Sequence, residues 1–323
     1  LFAFHLFQSG RLVEYRKDRT TTDPAEEKVM NATVAQHPEI KPRHMSMPFE
    51  QLETPYFFDN NALLSAFFAA LSSTFPAGEG EFIDSVRLYR EKVSSDKLKQ
   101  EIRGFIGQEG HHSRQHERVN EILRDLGFDA VALDKDLGSY IKRHVHPRSD
   151  KFRLAMTVCM EHLTAILAEH LLTYPETLDK LAEPVQDLLY WHAVEEIEHK
   201  SVAFDTFMSI EGDQKYLRWC QVYATLFFFH RIGWYTVKLL WWQKKMPSWR
   251  EVKGFWRFMT GPKGMFTGVI KNYMDWFKKG FHPWDHENSE LIERWKSEFY
   301  REEQDLAVQK AKARAAEKQA ATA

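Results

Sequence analysis

The sequence predicts an all-α fold, a four-helix bundle with aromatic-rich helices added on its C-terminal side. Three observations lead there. Apolar residues recur at helical spacing in long runs bounded by capping and breaking residues. No stretch sustains the alternation a strand requires. Two strings, Glu109-Gly-His-His112 and Glu196-Ile-Glu-His199, each set a carboxylate and an imidazole three residues apart. On a helix that spacing brings both side chains onto one face, about one turn apart.

Residues 1–47, rich in Arg, Lys, Thr and Pro after position 8, read as an arm or linker. The apolar opening Leu1-Phe-Ala-Phe-His-Leu-Phe has no basic leader and no small-residue cleavage site, so it does not read as a signal peptide. The bundle is expected over 48–211. Asp59-Asn-Asn caps an apolar helix running to Phe75, which Pro76, Gly78 and Gly80 are expected to break. A second helix runs from about Glu79 to Val93, and a third opens at Ser94-Ser-Asp and reaches Leu126 before Gly127. A shorter helix covers Leu133 to His146. Ser149-Asp then caps a helix to Leu172, and the last bundle helix starts at Thr177 or Pro184 and runs to Ile210.

Composition shifts after Gly212, for nine of the ten tryptophans lie at or beyond Trp219. Residues 212–285 are expected to form an aromatic-rich helical extension packed on the bundle or on a membrane. Within it Val222 to Trp242 approaches the roughly 20 apolar residues of a spanning helix, but His230, Arg231 and Lys238 interrupt it. Two readings stay open: a helix covered by the bundle or a partner, and a helix lying in a membrane interface. Residues 286–323 read as a charged helix or tail.

In chain order the candidate donors are Glu79, then Glu109 and His112, then Glu161, then Glu196 and His199. This is the order of a carboxylate-bridged two-metal site, with one Glu from each of two helices and Glu-x-x-His from each of the others. His192, Glu196 and His199 share a stripe at i, i+4 and i+7, and Glu109, His112 and His116 share another at i, i+3 and i+7. His192 and His116 are therefore both admissible. Glu81 competes with Glu79 for the first acidic position. Glu169, Glu195, Glu198 and His162 are expected at solvent or against outer partners of the ligands. Carboxylates converging on a core are costly unless cations neutralise them. Mixed oxygen and imidazole donors suit two Fe ions, with Mn or Zn admissible.

The segments Phe75-Pro-Ala-Gly-Glu79, Gln108-Glu-Gly-His-His112, Met160-Glu-His162 and Trp191-His-Ala-Val-Glu-Glu-Ile-Glu-His199 resemble the bacterial family of predicted metal-dependent hydrolases, across residues 48–285. That resemblance implies a ferritin-like four-helix bundle and favours Glu79 over Glu81 as the first acidic ligand. The ligand order is also similar to that of the di-iron arylamine N-oxygenases, which place a third histidine one turn before the last Glu-x-x-His. His192 holds that place. The implied metal set is Glu79, Glu109, His112, Glu161, His192, Glu196 and His199, with Glu109 and Glu196 as bridging, catalytic carboxylates.

The first functional expectation is a non-haem di-iron oxygenase or oxidase acting with O2 on a small hydrophobic substrate, supplied with electrons by an external donor or redox partner. The alternative is a metal-dependent hydrolase, in which paired metals lower the pKa of a shared water. Iron handling without an organic substrate is a third class. A formal net charge of -2 gives no global mark of a nucleic-acid binder, and no Walker loop, GxSxG elbow or dinucleotide fingerprint offers a rival centre. Cys159 and Cys220 form no framework, which fits a cytoplasmic protein. Exposed aromatics would favour a homodimer or a peripheral membrane contact.

Overall fold

Most helices of the core begin where a side chain can accept from the first free backbone N–H groups. The computed structural model describes residues 38–299. The helices are α1 (Ala62–Ser72), α2 (Phe75–Arg90), α3 (Asp96–Asp125), α4 (Ala130–Tyr140), α5 (Asp150–Thr173), α6 (Glu183–His199), α7 (Val202–Ile210), α8 (Gln214–Trp242), α9 (Trp249–Thr260), α10 (Met265–Asp275) and α11 (Ser289–Phe299). Asn61, Ser95, Asp129, Ser149 and Asp213 cap α1, α3, α4, α5 and α8 through their side chains. Among the described residues there is no strand, only an isolated bridge between Phe58 and Leu181. The chain is all-α, as expected. The expectations for 1–37 and 300–323 lie outside the described residues.

Two boundaries differ from the sequence expectation, and both matter to the site. Pro76, Gly78 and Gly80 do not break a helix; they lie in the first turns of α2, which begins at Phe75. Proline suits a first turn because it lacks the N–H that would be left free there and its φ is already helical. Asp134 of α4 accepts from Ala77 N at 3.0 Å, which satisfies another free donor. Glu79 therefore stands inside the helix and is buried. The second difference is at Lys200–Ser201, where the helix expected to reach Ile210 turns and splits into α6 and α7. Buried Lys200 holds this turn, donating to His286 O and Asn288 Oδ1, both at 2.6 Å.

Helices α2, α3, α5 and α6 pack as the bundle. Its apolar interior falls into two clusters. One contains Val86, Tyr89, Leu98, Ile102, Phe105, Leu154 and Cys159; the other contains Val119, Leu123, Leu163, Ile166, Leu188 and Trp191. Along α3 the buried polar residues Gln108, Glu109, His112, Gln115 and His116 separate the two, and along α5 Glu161 does. A polar belt thus crosses the bundle between two oily ends. Helix α8 lies on α1 and α5, α9 on α1, α10 on α5 and α11 on α6. Glu251, in the capping box of α9, also accepts from Ala62 N at 2.8 Å and ties α9 to the start of α1. No described helix is long and apolar enough to cross a membrane. Cys159 and Cys220 are buried thiols.

Residues 38–47 run against α3. A Cβ built on Gly104 would meet Ile40 O at 2.5 Å, and one on Gly107 would collide with Pro42 Cγ. The absence of a side chain at these two positions is what lets the segment come close enough for Arg43 to reach Glu195 and Glu198. Gly107→Ala is expected to push the segment away and destabilise the protein by about 1–3 kcal/mol. Gly110→Ala, with nothing within 4 Å of its added Cβ, should instead gain about 0.5–1 kcal/mol from reduced backbone entropy. Urea unfolding of the two variants checks the contrast.

Candidate metal centre

Each bundle helix brings acidic or imidazole groups into the belt: α2 brings Glu79, α3 Glu109 and His112, α5 Glu161, and α6 His192, Glu196 and His199. All seven are buried. His199 Nε2 lies 3.1 Å from Glu109 Oε1, 3.4 Å from Glu161 Oε2 and 3.6 Å from Glu196 Oε1. His112 Nδ1 lies 4.0 Å from the other Glu109 oxygen, Oε2, and 3.8 Å from Glu196 Oε1. His192 Nε2 is 2.9 Å from Glu196 Oε1 and 3.6 Å from Glu79 Oε1. Two donor groups result. Glu109, Glu161 and His199 form one, and Glu79, Glu109, His112, His116, His192 and Glu196 supply the overlapping sets of the other. Glu109 belongs to both, which is where a bridging carboxylate must stand.

Both oxygens of Glu109 and of Glu161, Glu79 Oε1, Glu196 Oε2, His112 Nδ1 and His199 Nε2 are buried without a hydrogen-bond partner. So many orphaned acceptors in one place would be strongly destabilising if nothing neutralised them. Four carboxylates match the charge of two divalent cations. The residues present therefore fit a dinuclear metal site, with glutamate oxygens and neutral imidazole nitrogens as donors.

The surroundings hold each imidazole with one nitrogen turned to this space. His112 Nε2 lies 3.0 Å from Glu195 Oε2, leaving Nδ1 facing the centre. His199 Nδ1 lies 2.9 Å from Gln108 Oε1, leaving Nε2. Gln108 Nε2 in turn donates to Glu198 at 2.8 Å. His192 Nδ1 lies 2.9 Å from His116 Nε2, and His116 Nδ1 lies 2.9 Å from Ser72 Oγ, which donates to Asn120 Oδ1 at 2.7 Å. Such partners fix tautomer and ring orientation and raise the basicity of a ligand imidazole. Aromatic rings complete the clamp: Trp191 on His112, Phe105 on His199, and Phe75 stacked on His116 and edge-on to His192.

Electrostatics follow from burial. Burial, and next the Glu109 charge, pushes the Glu79 and Glu161 carboxyls well above the usual range. Burial acts the same way on Glu196, yet His192 and His199 hold it well below that range. Burial holds His112 and His116 well below the ordinary imidazole value. In the outer layer burial pushes Glu195 up to about 8 against the pull of Arg43. Glu198 is buried too, but Arg43 and Lys296 hold it below the usual range.

The structure thus brings all seven sequence-selected donors together. Glu81 points elsewhere, accepting a two-pronged pair of bonds from Arg153 at 2.7 and 2.8 Å. His116, 2.9 Å from His192 Nδ1, also forms a possible donor set with Glu79 and His192. Glu195 and Glu198 are buried and not at solvent, and only the outer-partner half of that expectation describes them. His162 is buried against Trp276, and Glu169 lines a small cavity with His162 and Lys200. Sequence reasoning gave no role to Arg43, Ser72, Gln108, Ser113 or Asn120. Gln108 sat inside a quoted motif. Ser113, which donates to Glu79 Oε2 at 2.8 Å, and Asn120 share α3 with Glu109 and His112 but are ordinary polar residues on a helix. Arg43 and Ser72 reach the site from separate elements.

Replacing Glu196 by Ala should abolish metal loading, measured by metal counting on the purified protein, whereas Glu81→Ala should leave it intact. Glu195→Gln keeps the shape but weakens the acceptor behind His112, and is expected to lower metal affinity about 10–100-fold. Burial makes the folded metal-free chain keep protons on Glu79 and Glu161 to higher pH than the unfolded chain does. Those two groups therefore lose stability as pH rises, and metal must displace their protons. Stabilisation by a fixed metal concentration should grow as pH rises above the ordinary carboxylate range, read as the melting-temperature difference between loaded and metal-free protein.

No curated protein and no solved structure matches this chain. A family model described as predicted metal-dependent hydrolase matches residues 41–287, and the chain belongs to that family.

Proposed function

From that membership, which makes a metal-dependent enzyme the starting point, we propose that the chain is a dinuclear iron enzyme that oxidises an apolar substrate with O2. The observation that carries the reading is the pocket beside the donors. It is lined by His192 and Glu196 on one side and by Phe67, Leu71, Phe75, Leu167, Phe228 and Met265 among others, with Thr164 as the remaining polar member. An apolar body fits there. A scissile ester, amide or phosphate would need preorganised donors aimed at the charge it develops, and the lining supplies almost none.

Two ions held by Glu79, Glu109, Glu161, Glu196, His112, His192 and His199 would supply the electrons that reduce O2, with further electrons from an external donor. The chain's own residues set the conditions. Phe75 and its apolar neighbours exclude water from the reacting face. The His192–His116–Ser72–Asn120 chain holds His192 with Nε2 toward the donors. Glu195 and Glu198, paired with Arg43 and Lys296, hold His112 and the Gln108–His199 pair from behind.

Hydrolysis is the second reading, and the family's description speaks for it; no comparison speaks for oxidation. The two separate cleanly. Protein from iron-supplied cells is reduced without air and then given O2 in an oxygen electrode. The oxidative reading expects two irons per chain and uptake of about one O2 per iron pair, lost in Glu196→Ala. Iron-loaded protein that takes up no O2, together with zinc- or manganese-loaded protein that cleaves ester or phosphate substrates under nitrogen, would move the assignment to hydrolysis.

A further inference from the structure

Helix α8 is apolar on two sides. Its inner face buries Leu217, Ala224, Phe228, Ile232, Tyr235 and Leu239 against the bundle. Its outer face carries Trp219, Tyr223, Leu226, Trp234, Val237 and Trp241 at helical spacing, all exposed. Exposure reaches 79% at Trp219 and 74% at Trp241, and it continues past the helix to 86% at Met246 and 80% at Trp249. Trp256 on α9 and Ile270 and Met274 on α10 are also exposed. A row of large apolar side chains this long on a folded chain marks an interaction surface.

Charge identifies the partner. Between Gln214 and Met274 the sequence has eleven lysines and arginines against one acidic residue, Glu251, in a chain whose net charge is -2. Arg231 pairs with Asp136 and Lys263 with Glu176, but the segment remains strongly cationic. Two copies of such a face would repel each other. A nucleic acid would match the charge yet leave Val237, Leu226, Ile270 and Met246 against a polar backbone. Tryptophans and basic side chains interleaved with aliphatic ones suit the headgroup layer of a bilayer, where rings lie at the apolar boundary and ammonium and guanidinium groups meet lipid phosphates. We propose that α8, α9 and the α8–α9 turn form a docking surface for an anionic phospholipid bilayer, on which the protein rests without crossing it.

The test is flotation of the full chain with vesicles of phosphatidylcholine alone and of phosphatidylcholine mixed with phosphatidylglycerol, while tryptophan emission is recorded. Binding at least about tenfold stronger to the anionic vesicles, weakened by salt, is expected, with a blue shift of the emission. Lys244→Glu with Lys245→Glu should weaken anionic binding about tenfold or more. Trp219→Ala with Trp241→Ala and Trp249→Ala should shrink the blue shift and weaken binding to the anionic vesicles. All five side chains are at the surface or half-buried, so circular dichroism and thermal melting should match the parent and exclude misfolding. Failure of the parent to float with either vesicle would overturn the proposal. So would preferential binding of a single-stranded oligonucleotide over anionic vesicles, or a lipid-free dimer in light scattering that the tryptophan variants dissolve.

Discussion

Four glutamates buried in the middle of one helical bundle are the constraint around which this molecule is organised. Desolvation alone would force protons onto Glu79 and Glu161, and their unpartnered oxygens would remain a liability in that state. Nothing in the apolar ends of the bundle relieves this. The relief must come from positive charge placed among the four, and the imidazoles of His112, His192 and His199 are turned to share it.

The same constraint explains the outer layer. A ligand histidine needs its far nitrogen occupied, and each of the three has a different partner: a carboxylate, a side-chain amide and a second imidazole. Glu198 keeps its charge beside an already acidic core, so Arg43 and Lys296 are drawn in from the two ends of the described chain, Arg43 reaching Glu195 as well. Segment 38–47 and helix α11 thereby become parts of the site although neither contributes a candidate ligand. The glycines at 104 and 107 are the local cost of letting that segment lie on α3.

Much of this was legible in the sequence because helical spacing is rigid. The Glu-x-x-His pairs, the solitary Glu161 among apolar neighbours and the place of His192 could be projected onto faces without knowing the fold. Glu79 was harder, since only family resemblance separated it from Glu81; a proline taken for a breaker in fact starts α2 and carries Glu79 inward. Amphipathic reasoning failed on α6, where every residue from Leu188 to His199 is buried. With no solvent side, the pattern could not tell that Glu195 and Glu198 lie inside. The turn at Lys200 was invisible for another reason: its partners, His286 and Asn288, lie far along the chain.

The polar belt has a thermodynamic consequence of its own. It divides the hydrophobic interior into two droplets, each with enough large side chains to hold together, bridged by partly buried Met160 and by the helices that pass through. Cations held at mid-length would rivet those helices to one another and make the droplets melt as a single cooperative unit. Stripped of them, the bundle retains its ends but loses its waist, and a one-step denaturation curve ceases to be the natural description.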